Sequence, residues 1–399
     1  AIKVIPGGMW GHQKASRQPP SYPQFYSRAE GCRVWDVDGK SYIDFLCGWG
    51  PNIVGYGDPE IEEAVDRQRR SGDCMNGPSS RLVELAEAFT DLVPHAGWAL
   101  FSKNGTDATT ACVTIARAAS GRRKVLLARG AYHGSAPWCT PSLVGVTAED
   151  RAHLVHFDFN DVESIERAVA QARGDIAAIL VSGFRHDLGI AQEMPSVEFA
   201  HTARRLADAE GAALIIDDVR AGLRLDLGGS WELVGVRPDL AAWSKAIANG
   251  HALAAVTGAE SFRDAADRIY STGSFWTASV PMAAGIATLA RLKRTGAPAR
   301  LAAMGQRLRE GLEAQARRYG ARIVQSGPAQ MPLLQFENDK GAVIGTAFCE
   351  EALRRGVMMH PTHTMFLCLA HGEAEIDEAL AATDPAMALA ARLQQEAMA

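Results

Sequence analysis

Between residues 98 and 257 the chain passes through six short apolar stretches: Trp98–Ser102, Lys124–Ala128, Ala178–Val181, Ala213–Ile216, Leu240–Trp243 and Leu253–Thr257. Helical stretches such as Thr106–Ala119, Val162–Ala172 and Ser196–Glu210 lie between them. A strand with one face in water alternates apolar and polar residues, whereas an uninterrupted apolar strand needs cover on both faces. Helices that follow such strands supply that cover. The pattern therefore predicts an α/β fold with a large doubly wound domain of mostly parallel sheet, in which ligands bind at the carboxyl ends of the strands.

The flanking regions read differently. Arg33–Asp44 predicts a β-hairpin turning at Asp38-Gly39. Helices are expected at Met282–Arg294, Ala299–Tyr319, Glu373–Ala382 and Pro385–Ala397, the last two parted by Asp384 as an N-cap before a proline at the first helical position. Apolar strands are expected at Leu333–Phe336 and Met365–Ala370. The expected organisation is an N-terminal segment, 1–60, packing with a C-terminal small α+β domain, 291–399, around a large domain, 61–290.

Composition excludes several classes of function. A net charge of −5 gives no reason to expect nucleic acid or an anionic membrane as partner. The seven cysteines are scattered and form no C-x-x-C pair, which reads as reduced thiols in a cytoplasmic protein, with neither a disulfide framework nor a zinc site. The N-terminus has no secretory apolar region, and no apolar run reaches membrane-spanning length.

The chemistry concentrates at strand ends. Leu240–Trp243 is followed by Ser244 and Lys245, and Leu214-Ile215-Ile216 by Asp217. A lysine able to form a Schiff base and an acid able to hold a pyridine nitrogen protonated together suit pyridoxal phosphate. Singly, each residue has a plainer explanation: Lys245 as a surface lysine, Asp217 as a helix cap or the partner of Arg220 or Arg224. Asn104-Gly105-Thr106 at a helix start offers phosphate-binding N–H groups, or simply a capped turn. Tyr132 could stack on a flat ring or pack in its loop. The order of phosphate loop, aromatic, acid and lysine is what one cofactor requires.

Those residues carry a resemblance. Together with Ile5-Pro6-Gly7-Gly8, Trp35-Asp36-Val37-Asp38-Gly39, Trp49-Gly50-Pro51, Tyr132-His133-Gly134, Gly273-Ser274-Phe275 and Ala370-His371, they make the chain similar, nearly end to end, to fold-type I, class III pyridoxal-phosphate aminotransferases. Within that class it most resembles glutamate-1-semialdehyde aminomutase and its aminotransferase relatives. The resemblance implies that Lys245 is the Schiff-base lysine and general base, and that Asp217 bonds the pyridinium N–H. It implies that Val219 and Tyr132 flank the ring, with His133 among the cofactor-binding residues, and that Asn104, Gly105 and Thr106 cradle the phosphate. Gly273 and Ser274 match a phosphate ligand brought by a partner subunit, so a homodimer with shared active sites is implied.

The chain also departs from that family. Asp218 replaces the usual glutamate, and Ser182-Gly183 replaces the common Glu-Pro, followed by Phe184-Arg185-His186-Asp187. The arginine that binds a carboxylate in the aminomutase aligns with Lys14, which lacks the bidentate fork. Trp49, Lys14 and Arg185 are the candidate substrate-binding residues, with Arg17 as a further cation. His360 and His363 are three residues apart with a proline between them, so no metal is expected there. The expected function is transfer of an amino group between small amine and carbonyl substrates. An aminomutase or racemase on the same scaffold is the alternative, and a catalytically silent cofactor-binding protein a more distant one.

Overall fold

The computed structural model describes residues 1–9, 11–17, 19 and 21–397. A seven-stranded sheet runs in the spatial order Trp98–Ser102, Ala254–Gly258, Leu240–Trp243, Ala213–Asp217, Ile176–Ser182, Lys124–Ala128, Leu154–Phe157. Ala254–Gly258 is antiparallel to both its neighbours, and the remaining pairs are parallel. Every residue of Ile176–Ser182, Ala213–Asp217 and Leu240–Trp243 is buried, the outcome that their unbroken apolar runs require. Helix Gly105–Ser120 covers one face through Ala108, Cys112, Ile115 and Ala116. Val162–Ala172 and Val197–Glu210 cover the other through Ile165, Val169, Phe199 and Leu206. This is the doubly wound, fold-type I arrangement, with about 1.5–3 kcal/mol favouring each large apolar side chain taken from water.

Helix termini are set by local chemistry. The Asn104 side chain accepts the Asp107 N–H at 3.1 Å, and the Asp107 carboxylate accepts the Asn104 N–H at 3.2 Å, a reciprocal cap that fixes where Gly105–Ser120 begins. Ser196 likewise accepts the Phe199 N–H at the start of Val197–Glu210.

The hairpin forms as expected from Arg33–Asp36 and Ser41–Asp44. It belongs to a four-stranded sheet in the order Tyr26–Glu30, Arg33–Asp36, Ser41–Asp44, Val357–Met358, the last pair parallel. Leu333–Phe336 pairs antiparallel with Ile323–Ser326.

Two sequence expectations fail near the C-terminus. Residues 373–396 form one helix, Glu373–Glu396, with Pro385 inside it rather than a break at Asp384-Pro385. The Asp384 carboxylate accepts Arg318 Nη1 and Tyr319 Oη, both at 2.6 Å, so it is tied to helix Ala297–Tyr319 and caps nothing. A mid-helix proline costs about 3 kcal/mol. Ile376 and Ala379 before it, with Ala386, Met387 and Ala390 after it, are all buried, and that burial holds the two halves in line. Met365–Ala370 is not a strand. Its N–H groups reach alternately to Pro332 and Gln330 on one side and to Phe45 and Ile53 on the other, so no single partner builds a ladder.

Candidate active site

Asp217 is the last residue of its strand and lies opposite Ala242 of the adjacent parallel strand. Three residues beyond Ala242, Lys245 therefore emerges at the same carboxyl edge of the sheet. Its φ is +48°, a left-handed conformation that a side chain with a Cβ rarely adopts and that costs roughly 1–3 kcal/mol. A cavity of about 180 Å³ opens there, lined by Asn104, Gly105, Thr106, Tyr132, His133, Gly134, His186, Asp217, Val219, Arg220 and Lys245.

At the far wall, Asp217 Oδ2 lies 2.7 Å from His133 Nδ1, and Oδ1 accepts the Val219 N–H at 3.1 Å. A carboxylate can only accept, so the imidazole proton sits on Nδ1. Both side chains are buried. The acid is thus held by two donors from within the protein while still facing the cavity.

The opposite end is the start of helix Gly105–Ser120, where the first backbone N–H groups have no partner inside the helix and the dipole favours an anion. Close approach of the loops requires glycine at two places. A Cβ on Gly105 would sit 2.8 Å from Val219 Cγ1, and one on Gly134, where φ is +129°, would sit 2.5 Å from Thr106 Oγ1. Thr106 Oγ1 itself accepts the Ser135 N–H at 3.1 Å.

Electrostatics follow from burial. Lys245 is pushed down to about 7 by desolvation and by the Arg220 charge, with Asp217 pulling the other way. His186 is held well below its ordinary value by burial, by Arg220 and by Lys245, and so is neutral near pH 7. Arg220 is lowered to about 10 by burial, against the attraction of Asp217, Tyr132 and Asp187.

Of the residues singled out in the sequence, Asn104, Gly105, Thr106, Tyr132, His133, Asp217, Val219 and Lys245 converge on this cavity. The others lie elsewhere. Ser274 O accepts Cys74 Sγ at 3.2 Å, and the neighbouring Phe275 is exposed. Trp49 stands edge-on to His363 and His360, with ring centroids at 4.8 and 5.7 Å. Lys14 and Arg17 are exposed on the N-terminal segment. Arg185 forms an ion pair with Glu193 at 2.9 Å and also donates to Ala191 O.

Two lining residues, His186 and Arg220, were named in the sequence but not among the candidate site residues. Each adjoins one that was: His186 follows Arg185 in the stretch replacing Glu-Pro, and Arg220 follows Val219. That adjacency was the available signal.

Two histidine groups lie elsewhere, and in the first His363 Nδ1 donates to Thr364 O at 2.8 Å. His360 Nδ1 accepts the N–H groups of Thr362 and His363. Cys47, Cys368 and His371 come within 4.8 Å of one another at their ligand atoms, but His371 Nδ1 accepts the Cys368 N–H at 2.9 Å.

Residues 14–382 match the family described as aminotransferase class III. The chain is 47% identical to the aminopentol aminotransferase of Sphingopyxis macrogoltabida, over 98% of this chain and 93% of that protein. It is 30% identical to a glutamate-1-semialdehyde 2,1-aminomutase of Brevibacillus brevis, over 97% and 96%. Among solved structures, the pyridoxal-phosphate internal aldimine form of the FumI protein of Sphingopyxis sp. MTA144 superposes with a TM-score of 0.97 at 47% identity, covering 99% of this chain and 95% of that one.

Proposed function

The chain belongs to the class III aminotransferases, enzymes that depend on pyridoxal phosphate, and we propose that Lys245 and Asp217 carry its amino transfer, with an aminopentol-type amine as donor. The reading rests on one observation: an ammonium, a supported carboxylate and a helix N-terminus face a single cavity of about 180 Å³.

These residues fit the cofactor. Asn104, Gly105 and Thr106 would hold its phosphate, Asp217 its ring nitrogen, and Tyr132 and Val219 its two faces. When bound, it supplies a carbonyl that takes the amine and a ring that accepts electrons from the substrate carbon.

The protein does the rest. Asp217, fixed by His133 and by the Val219 N–H, keeps the proton on the ring nitrogen. Lys245 Nζ, lowered to about 7, exists near neutrality in both protonation states and so can accept a proton from the substrate carbon and return it. His186 stays neutral beside it and adds no charge to oppose that transfer.

The aminopentol assignment comes from the relative at 47% identity. It is supported by a second cavity of about 300 Å³, lined by Gly189, Gln335, Phe336, Asp339, Pro361 and Thr362 among others. Leu188 and Ile190, both exposed, flank Gly189. This mixture of apolar and polar surface suits a hydroxylated chain.

We also read the protein as a homodimer of cytoplasmic location, divided at about residues 60 and 290. Tyr270, 95% exposed, and Phe275, 67% exposed, bracket Gly273 and Ser274 outside their own cavity, which supports placing that segment against a partner's site. Seven free cysteines, six of them buried, support a reducing compartment.

A donor amine given without acceptor should yield one equivalent of carbonyl product per site, and an oxo acid should then restart turnover. Continued turnover without an acceptor would contradict intermolecular transfer.

A further inference from the structure

Lys245 and Arg220 are the lysine and the arginine among the residues lining the cavity. The Nε atoms of Arg204, Arg220 and Arg224 are all withdrawn from water without an acceptor, so the difference between these groups lies at their Nη atoms. Arg224 donates to Leu367 O and Gly50 O, both at 2.6 Å. Arg204 pairs with Asp239 at 2.9 Å and with Asp208 at 2.6 Å. Arg220 has neither kind of partner. Its Nη1 reaches only a hydroxyl, Thr364 Oγ1 at 3.3 Å, and its Nε is withdrawn from water with no acceptor. Among the described residues no carboxylate comes within salt-bridge distance of it.

An arginine has five donors in a planar fork that matches a carboxylate. One left with a single neutral contact at a cavity wall is a site short of an anion. The cofactor's phosphate is already provided for at the Asn104–Thr106 helix start. Arg220 instead leans toward Thr364, in the segment that carries His360 and His363 against Trp49.

The cations expected from the sequence to anchor a carboxylate are committed or distant. Arg185 is paired with Glu193, and Lys14 and Arg17 are exposed outside the cavity.

We infer that Arg220 is the specificity residue that grips the carboxylate of an oxo-acid co-substrate, holding it in the cavity beside Lys245. The inference rests on the aminotransferase reading above. Thr364 Oγ1, which also accepts Gln192 Nε2 at 2.5 Å, positions the guanidinium from behind. The neutral His186 and His363 close to it leave the fork's charge unshared. The amino donor needs no carboxylate to use the same cavity, so one site serves an uncharged-chain amine in one half-reaction and an anionic acceptor in the other.

The test compares Arg220→Gln and Arg220→Lys with the parent holoenzyme, using pyruvate as the carboxylate acceptor and butanal as an acceptor without one. A charge-assisted fork predicts that Arg220→Gln lowers the pyruvate-to-butanal preference in kcat/KM by roughly 10- to 150-fold. Arg220→Lys should recover only part of that loss, since an ammonium is a point charge. Propionate binding to the holoenzyme, measured by calorimetry, should weaken by about the same factor in Arg220→Gln, while retention of the cofactor on dialysis stays at the parent level. An unchanged pyruvate-to-butanal ratio would overturn the inference. So would parallel loss of both acceptors together with loss of the cofactor, because Arg220 would then serve the cofactor. If the parent enzyme transfers no amine to either acceptor, the aminotransferase reading itself fails, which is a distinct outcome.

Discussion

His133 Nδ1 donates to Asp217 Oδ2 across 2.7 Å inside the protein, joining the loop after Lys124–Ala128 to the end of the strand two places away in the sheet. The bond orients the acid toward the cavity, where the proposed function has it meet the cofactor's ring nitrogen. His133→Ala removes a charge-assisted hydrogen bond, so kcat is expected to fall roughly 10- to 150-fold, with weaker cofactor retention. Parallel measurement of kcat and cofactor release in the variant checks this.

Lys245 should titrate near pH 7 in the cofactor-free protein instead of near its usual 10.5. Burial and the Arg220 charge both favour the neutral amine, which is the form that attacks a carbonyl. The rate of covalent cofactor uptake should therefore rise with pH through about 7 and level off above. In Arg220→Gln one of these two causes is gone, so the inflection should move upward. Rapid-mixing absorbance across pH 5.5–9.5 measures both.

Asp218 lies next to Asp217 in sequence but outside the cavity that Asp217 lines. Burial raises it to about 6 from an ordinary 3.8, with Asp217 and Asp226 adding to the rise and the Ser230 hydrogen bonds opposing it. Its folded value exceeds its unfolded one, so the native state binds this proton more tightly. That contribution is full below about pH 4 and is lost as pH rises through 6. Asp218→Asn should then be more stable than the parent at pH 7.5, by on the order of 2 kcal/mol, and should lose the advantage at pH 4. Denaturant melts at the two pH values decide it.

Arg224 is fully buried, and its bonds to Leu367 O and Gly50 O clamp the Trp49 loop to the Met365–Ala370 segment. Arg224→Met leaves two buried carbonyls without donors, a cost of about 2–4 kcal/mol. Thermal unfolding should register a clear fall in Tm.

If Ser274 completes the partner's phosphate site, mixing inactive Lys245→Ala subunits with Ser274→Asp subunits should restore activity. In the hybrid, the site with an intact Lys245 receives an intact Ser274. Refolding the mixture and assaying it tests the exchange, and a mixture that stays inactive would argue against shared sites.

The sheet was legible because its strands had to be apolar on both faces, and such runs look like little else at lengths of four or five residues. Asp217 and Lys245 stood out for a related reason, each a charge at the carboxyl end of an apolar run, Lys245 one residue beyond Ser244. The continuous helix at Glu373–Glu396 was not legible. Asp384-Pro385 is a good start signal locally, and only the Arg318 and Tyr319 partners, 66 and 65 residues away, show why the carboxylate is not a cap. Met365–Ala370 failed similarly: its composition fits a strand, but its hydrogen bonds go to both sides in turn. Arg220 was weighed only as a partner for Asp217. Its missing counter-ion is a property of the folded neighbourhood and leaves no mark in the residue pattern.

The account depends most on the nitrogen of Lys245 bonding the cofactor. Borohydride reduction of the holoenzyme followed by peptide mass mapping should place one pyridoxyl-phosphate adduct per chain on Lys245. An adduct on any other lysine, or none at all, would contradict it.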